Sequence, residues 1–212
     1  SLSLSLSLSV SLSHTHTLSL SLSLSLSLSL RWPSRTGADE SSYPCTCSSE
    51  KFDPSQLTSV QADMNKYWPS LEGANAPFWT HEWTKHGTCA GLASQVDFFN
   101  TTLAWRKLTA TYQTLASAGV KPGAKYASSA IVDAIKKVLG VTPLLGCGGG
   151  TEKSLESVSF CLSKDAQKII ECDASVKSGT GGVVSCDLSQ DILYASGAAP
   201  GPSPGPGPSP GP

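Results

Sequence analysis

The sequence predicts an α+β protein that is stapled by disulfides, and one observation supports each part of this prediction. Helical patterns fill the first half of the central segment and short β-like runs follow in its second half, so the two kinds of element do not alternate as in a doubly wound fold. Seven cysteines in a chain of 212 residues with one methionine indicate an oxidising compartment and a disulfide framework. The length fits one ordinary domain.

Bulk charge does not predict a nucleic-acid-binding protein. The chain has 15 basic and 16 acidic residues and a sequence pI near 6.4. Affinity for a polyanion therefore has to come from a local site, because the molecule as a whole offers no positive field.

Residues 1–30 form a Ser-Leu alternation that is broken by a His-Thr repeat. Period-two alternation is typical of a strand, but a CT dinucleotide repeat also translates as Ser-Leu, so we interpret the segment as a low-complexity translated microsatellite. It has neither the basic region nor the continuous apolar core of a signal peptide, and it would be a poor membrane span. We assign no role to His14 or His16.

The C-terminal segment, residues 196–212, is predicted to be extended and disordered. It is rich in proline and glycine, which cannot supply a packed core. Its Ala-Pro and Ser-Pro steps are typical of hydroxyproline-glycosylated plant cell-wall proteins, and we expect no lipid-anchor signal.

The predicted domain, residues 31–195, begins with helices. Asp53-Pro54 followed by an apolar-periodic run predicts a capped helix over 54–67. A longer helix is predicted over 98–118, ending at Gly119, and another over 129–139, ending at Gly140. Apolar runs at 157–162, 169–172 and 183–186 predict strands.

Residues 78–91, "FWTHEWTKHGTCAG", carry the densest group of titratable side chains. If 78–86 is helical, His81 and Lys85 stand one turn apart, as do Glu82 and His86, so four polar groups share one broad face. Such a face suits a small anion that needs several proton-exchanging groups around it. The alternative is an amphipathic helix whose charges only face solvent.

A zinc site is the other alternative for this stretch, because His-Glu followed by a second histidine resembles HExxH. Here the second histidine is at i+5, which turns it about 140° from the first around an α-helix. Lys85 would also repel a metal ion. We therefore predict no metal and no cofactor.

The stretch closely resembles the second active-site segment of the ribonuclease T2 family, whose form is near F-W-x-H-E-W-x-K-H-G-T-C. The segments "KYWPSL", "ASAGVKPGAKYASSAIVDAIKK", "VTPLLGC" and "VSFCLSKDAQKIIEC" resemble earlier and later parts of plant members. The resemblance covers about residues 32–190. It implies a central antiparallel sheet with packed helices, stapled by disulfides, and a metal-free endoribonuclease acting on single-stranded RNA through 2′,3′-cyclic phosphates.

The resemblance also implies roles for individual residues. His86 would be the general base, His81 would bind the phosphate, and Glu82 and Lys85 would stabilise the transition state. Trp32 and Tyr43 become candidates for stacking on a base, with a place in the core as the alternative. The implied disulfides are Cys47–Cys89, Cys147–Cys186 and Cys161–Cys172, which leaves Cys45 without a partner.

The chain departs from the family before Trp32-Pro33. Members carry a segment near H-G-L-W-P there, whose histidine is the general acid, whereas this chain has Ser29-Leu30-Arg31. The domain is accordingly predicted to lack its N-terminal strand, and its activity is in doubt. Two alternative functions follow: an inactive RNA-binding or storage protein, and a cell-wall-associated glycoprotein.

The remaining expectations concern the setting of the protein. The resemblance and the cysteines predict a secreted or vacuolar monomer without a membrane segment. The triplet Asn100-Thr101-Thr102 is a possible acceptor of N-linked glycan and is compatible with that compartment.

Overall fold

The computed structural model describes residues 2–10, 26–35, 46–70, 73–148, 151–174, 176 and 184–196, and for the first two ranges it describes the backbone only. Tyr43, Cys45 and residues 197–212 of the C-terminal segment lie outside the described residues. Within these residues the fold is α+β, with eight strands in one sheet together with several helices. The strands are, in chain order, β1 Leu2–Val10, β2 Leu26–Arg35, β3 Ala124–Ala127, β4 Leu144–Gly148, β5 Ser154–Leu162, β6 Ile169–Ile170, β7 Val184–Ser185 and β8 Asp191–Tyr194.

The sheet is antiparallel apart from one short parallel contact between β5 and β8. Its main path runs β2-β1-β5-β4-β7, while β6 pairs with β5 and β3 pairs with β8. Strand β5 lies at the centre and is buried along most of its length. Because both of its faces are covered, β5 reads as a nearly continuous apolar and small-residue run rather than as a strict alternation.

The Ser-Leu repeat contributes backbone to this sheet. β1 pairs with β5 through Leu6↔Phe160 and its neighbours, and β2 pairs with β1 through Leu6↔Leu30 and its neighbours. The sequence predicts a domain that begins at residue 31 and lacks its N-terminal strand. In the structure, β1 lies wholly before residue 31 and β2 crosses it, so the sheet extends beyond that boundary. The boundary itself stays a prediction.

The described residues include five α-helices: α1 Gln61–Tyr67, α2 Asn75–His81, α3 Gln95–Thr109, α4 Thr111–Ser117 and α5 Ser128–Leu139. Helix α5 packs against β3 and β4, α4 packs against α5, and α1 packs against α3. Short 3₁₀ turns occur at Pro54–Leu57 and Gly87–Cys89. Trp68, Phe98 and Phe99 form the aromatic part of the core, with ring centroids 5.1–6.0 Å apart. None of the described helices is long and apolar enough to cross a bilayer.

Two predicted helices are broken in the structure. The segment 54–67 begins as the 3₁₀ turn, with the Asp53 side chain capping it, and becomes α-helical only at Gln61. The segment 98–118 is divided at Ala110, whose φ of 37° is left-handed and ends α3. The prediction at Gly140 agrees with the structure, since Gly140 ends α5 with a φ of 74°.

Three disulfides join the pairs named in the sequence analysis. Cys47–Cys89 links residues 42 positions apart, Cys147–Cys186 links residues 39 apart, and Cys161–Cys172 links residues 11 apart. The first bond ties the chain that follows β2 to the end of the histidine-rich segment. The other two hold β4 and β5 to the segments that follow them.

Candidate active site

The histidine-rich segment changes helical type in the middle. The α-helix α2 ends at His81, residues Glu82–His86 form a π-helical turn, and Gly87–Cys89 form a 3₁₀ turn. A π-turn is wider than an α-turn and places residues i and i+5 above one another. The change of helical type therefore decides which side chains meet.

The π-turn brings the two histidines together. The ring centroids of His81 and His86 are 5.6 Å apart, in an edge-to-face arrangement. The α-helical spacing predicts a separation of about 140° around the axis, and that expectation is wrong because the helix widens at Glu82. Short π segments of this kind occur frequently at functional sites.

Burial divides the four predicted catalytic side chains. Glu82 and His86 are 5 % and 8 % exposed, Lys85 is half-buried, and His81 is exposed. The Oε2 atom of Glu82 is buried and has no hydrogen-bond partner among the described residues. A buried acceptor without a donor is costly unless the carboxyl is neutral or receives a bond from a ligand.

Burial also sets the protonation of Glu82 and His81. It raises the pKa of Glu82 to about 8, against the opposing charge of Lys85. The pKa of His81 is lowered from 6.5, first by its partial burial and then by Lys85. At mildly acidic pH the site therefore combines a neutral Glu82 carboxyl with a cationic Lys85, and His81 gains its charge only towards lower pH.

Thr46 and Cys47 hold the π-turn and the 3₁₀ turn that follows it. The backbone N–H of Thr46 donates to the carbonyl of Lys85 at 2.9 Å, and that of Cys47 donates to Thr88 Oγ1 at 3.1 Å. Cys47–Cys89 closes the same contact covalently. The turn is thereby attached to the chain that follows β2.

Packing beneath the turn requires glycine at position 87. A Cβ atom there would collide with the ring of Trp83 and come within 3.2 Å of Phe98. Trp79, one helical turn before Trp83, donates its indole N–H to the Trp68 carbonyl at 2.8 Å. The two tryptophans thus anchor the segment in the core.

Strand β2 lies directly against the π-turn and the 3₁₀ turn that follows it. It carries Ser29, at the position that corresponds to the missing general acid, and Trp32. Only the backbone is described here, so the stacking role of Trp32 stays a prediction, as does that of Tyr43. The strand nevertheless brings the segment before Trp32-Pro33 beside the histidines.

The cluster also has the donor set of a metal site. Potential ligand atoms of His81, Glu82 and His86 all lie within 4.8 Å of one another. The spacing argument against a metal no longer holds, because it assumed an α-helix. Repulsion from Lys85 remains as an argument, and the expected absence of a metal stays a prediction.

The sequence reasoning missed the features that shape this site. It named the four polar side chains, but not the π-turn, the clash that excludes a side chain at position 87, or the bonds of Thr46 and Thr88. Gly87 is the only sequence signal at these positions, and by itself it indicates no more than the end of a helix. Bonds between residues about forty positions apart leave no local pattern to find.

Comparison with known proteins gives consistent matches. The family model described as "Ribonuclease T2 family" matches residues 22–172. Ribonuclease 1 of Arabidopsis thaliana is 34% identical over 149 residues, covering 66% of this chain and 64% of its own length. Ribonuclease T2 of Sus scrofa is 35% identical over 149 residues, covering 64% and 71%. A ribonuclease-like storage protein of Panax ginseng is 33% identical over 132 residues, covering 59% and 56%.

Solved structures share the fold. The complex of RNase NT with 5′-AMP has a TM-score of 0.72 at 23% identity and covers 92% of this chain and 97% of that one. A mutant of RNase MC1 in complex with 5′-GMP has a TM-score of 0.63 at 27% identity, covering 70% and 80%. The chain spans just under two thirds of the length of the Arabidopsis relative.

Proposed function

The chain belongs to the ribonuclease T2 family, and from that premise we propose that it is an endoribonuclease that cleaves single-stranded RNA by transphosphorylation. The observation that carries the proposal is the convergence of His81, Glu82 and His86 within 4.8 Å, with Lys85 in the same π-turn. This group provides a base, a phosphate-binding side chain and two groups that can stabilise added negative charge.

RNA supplies its own nucleophile in the 2′-OH, so the protein has to move protons and stabilise charge. In the proposed reaction His86 accepts the 2′ proton while the 2′ oxygen bonds to phosphorus. The bond from phosphorus to the 5′ oxygen then breaks, and the departing oxygen takes a proton from an acid. The products are a 2′,3′-cyclic phosphate and a free 5′-OH, and water opens the cyclic phosphate afterwards.

The remaining polar side chains act on the phosphoryl oxygens. Lys85 and protonated His81 offset the charge that develops there. Neutral Glu82 can donate a hydrogen bond to a non-bridging oxygen, whereas an ionised Glu82 would repel it. The raised pKa of Glu82, about 8, supports a donor role for this carboxyl at acidic and neutral pH.

Ser29 limits the proposed activity. A serine hydroxyl does not protonate a leaving oxygen near neutral pH, and water has to serve instead. Loss of a general acid costs about 10² to 10⁴ in rate. We therefore propose a slow ribonuclease, acting in the secretory pathway or the vacuole as a monomer.

A second candidate function is an RNA-binding or storage protein without catalysis. It is favoured by Ser29 and by the similarity to the Panax ginseng protein that is named a ribonuclease-like storage protein. A third, a cell-wall-associated glycoprotein, rests on the Pro/Gly-rich segment at 196–212. Hydroxyproline analysis of protein purified from its native source would test the third candidate.

The test is cleavage of homopolymeric RNA at pH 5 in the presence of EDTA. We expect slow cleavage that persists in EDTA, yields 2′,3′-cyclic phosphate ends and disappears in His86→Ala. Thr80→Ala, an exposed position on α2 outside the predicted group, is the matched control and should retain the wild-type rate. RNA that stays intact after long incubation, while still binding the protein, would favour the storage or binding function and reject the enzyme.

A further inference from the structure

A second group of charged side chains lies between α1 and α3, outside the histidine-rich segment. Lys66, Tyr67, Arg106 and Lys107 form what we call the Tyr67 cluster. The Nζ atoms of Lys66 and Lys107 lie 4.8 Å and 5.2 Å from the centroid of the Tyr67 ring. Arg106 is near enough to Tyr67 for the two side chains to interact electrostatically. Two ammonium groups therefore lie beside the Tyr67 ring, and a guanidinium interacts with the same phenol.

Arg106 is unusual within this cluster because it is buried without an anion. Its side chain is 7 % exposed, and Nε has no hydrogen-bond partner among the described residues. Burial lowers the pKa of the guanidinium from its ordinary value. A buried N–H donor without an acceptor is costly, and in folded proteins such a donor normally meets a carboxylate, a water molecule or a bound anion.

Two other cations of the described chain form ion pairs with carboxylates, whereas Arg106 does not. Lys107 pairs with Asp63 at 2.5 Å, and Lys125 pairs with Glu152 at 2.6 Å. Asp63 is thus the carboxylate next to the Tyr67 cluster, and it is already paired with Lys107. Lys66 and Arg106 form no ion pair within the described residues, so the cluster carries an excess of positive charge.

We propose that the Tyr67 cluster binds a phosphate group. The planar guanidinium of Arg106 presents parallel N–H donors that match two phosphate oxygens, which an ammonium group cannot do. Lys66 and Lys107 add charge at the exposed side, and the Tyr67 hydroxyl adds a donor. A phosphate would complete the hydrogen bonds of Arg106 and neutralise the excess charge in one step.

Two sources could supply that phosphate: the backbone of an RNA strand, and free inorganic phosphate. Both present the same tetrahedral oxygens to the cluster. The proposal concerns the site itself and does not depend on catalysis at His86. Phosphate titration and oligonucleotide binding, measured on the same variants, separate the two sources.

The first experiment titrates the full-length protein with inorganic phosphate and follows the Arg106 Nε–H signal by NMR. We expect a saturable shift of that signal. The double variant Lys66→Ala/Lys107→Ala should weaken phosphate binding by about tenfold or more, because two of the three cations are removed and Asp63 is left unpaired. Lys66→Ala by itself keeps the Lys107–Asp63 pair and should weaken binding less.

The matched control is Lys136→Ala/Lys137→Ala on α5, which removes the same charge from two exposed lysines away from the cluster. Phosphate affinity should not change in this variant. All substituted lysines are exposed, so the variants should fold, and near-UV circular dichroism checks this. The absence of a saturable Arg106 shift, or an equal decrease of affinity in the control, would overturn the proposal.

The second experiment measures binding of a 2′-O-methylated oligonucleotide, which cannot be cleaved because it lacks the nucleophile. If RNA supplies the phosphate, affinity falls in the cluster variant but not in the control. The slope of log affinity against log salt then becomes shallower by about 0.7 for each phosphate that the variant no longer neutralises. Unchanged oligonucleotide affinity, with the Arg106 shift still present, assigns the site to free phosphate. Cleavage assays on the same variants report separately on the proposed enzyme.

Discussion

The π-turn at Glu82–His86 and the strand pair β1–β2 meet in space, yet the sequence specifies them in opposite ways. In the turn and the residues on either side of it, each position has its own chemistry: a buried acid, a histidine at each end, and then Gly87, where a side chain would collide with Trp83. In the strand pair, two residue types alternate, and the register pairs Ser7 with Ser29 and Leu6 with Leu30. A slip by two residues would restore the same kinds of pair along most of the repeat.

This difference matters because the general acid that the proposed reaction lacks would have to stand on β2. Catalytic side chains have to be held within about 1 Å of their productive positions. The turn achieves this through the core, a disulfide and backbone hydrogen bonds. A strictly period-two strand fixes which face a residue occupies, but it fixes the position along the strand only weakly. Four predictions test the contrast, from the largest expected effect to the smallest.

The first prediction is a gain of activity in Ser29→His. A histidine at this position would supply the acid that the family places before Trp32-Pro33, and cleavage of homopolymeric RNA should accelerate by about 10² to 10⁴. Ser27→His, two residues earlier in β2, is the matched control and should leave the rate near the wild-type value. Equal gains in both variants would show that the position of the new acid does not matter, which contradicts the proposed geometry.

The second prediction compares two disulfides. Replacing both cysteines of Cys47–Cys89 by serine should lower the free energy of unfolding by about 4 kcal/mol, because this bond closes a long loop. The same change at Cys161–Cys172 should lower it by about 3 kcal/mol, because that bond closes a short loop. Urea unfolding measures both values. Activity measured well below the unfolding transition should fall more for Cys47–Cys89, which holds the turn. A larger loss of activity on opening Cys161–Cys172 would refute the role given to the first bond.

The third prediction concerns Glu82 and pH. The folded state raises the pKa of this carboxyl from 4.5 to about 8, so it binds its proton more tightly than the unfolded chain does. The stabilisation that comes with the proton is complete below pH 4.5 and is lost as pH rises to about 8. Wild-type stability should decrease across this window by more than that of Glu82→Gln, as measured by urea unfolding at several pH values. Parallel profiles would show that Glu82 does not titrate from a buried position.

The fourth prediction has the smallest effect. Deletion of Ser7 and Leu8 removes one period of the repeat, and a two-residue slip of β1 restores its pairing with β5. The free energy of unfolding should therefore change by less than about 0.6 kcal/mol, since only the connection between β1 and β2 becomes shorter. Deletion of Ser7 alone is the contrasting variant, because a one-residue slip turns every later side chain to the opposite face of the strand. Equal decreases in both variants would show that the register is unique.

Prediction from sequence succeeded where the signal was local. The apolar period and Gly140 predicted the bounds of α5 to within one residue, and the strand predicted at 157–162 lies inside the observed β5. It failed where tertiary contacts override local preference. Ala110 has no sequence feature that predicts a left-handed φ, and β4 is buried along almost its whole length, so it shows no alternation to detect.

The sequence by itself determined which chemical groups this protein has. The order of His81, Glu82, Lys85 and His86 identified the family, and the cysteine set indicated the disulfide framework. Only the tertiary structure decided how those groups are arranged. The π-turn that brings i and i+5 together, the burial that raises the pKa of Glu82 and the placing of β2 against the turn all depend on packing between distant parts of the chain. Such packing has no period and no local motif, so no local sequence pattern predicts it.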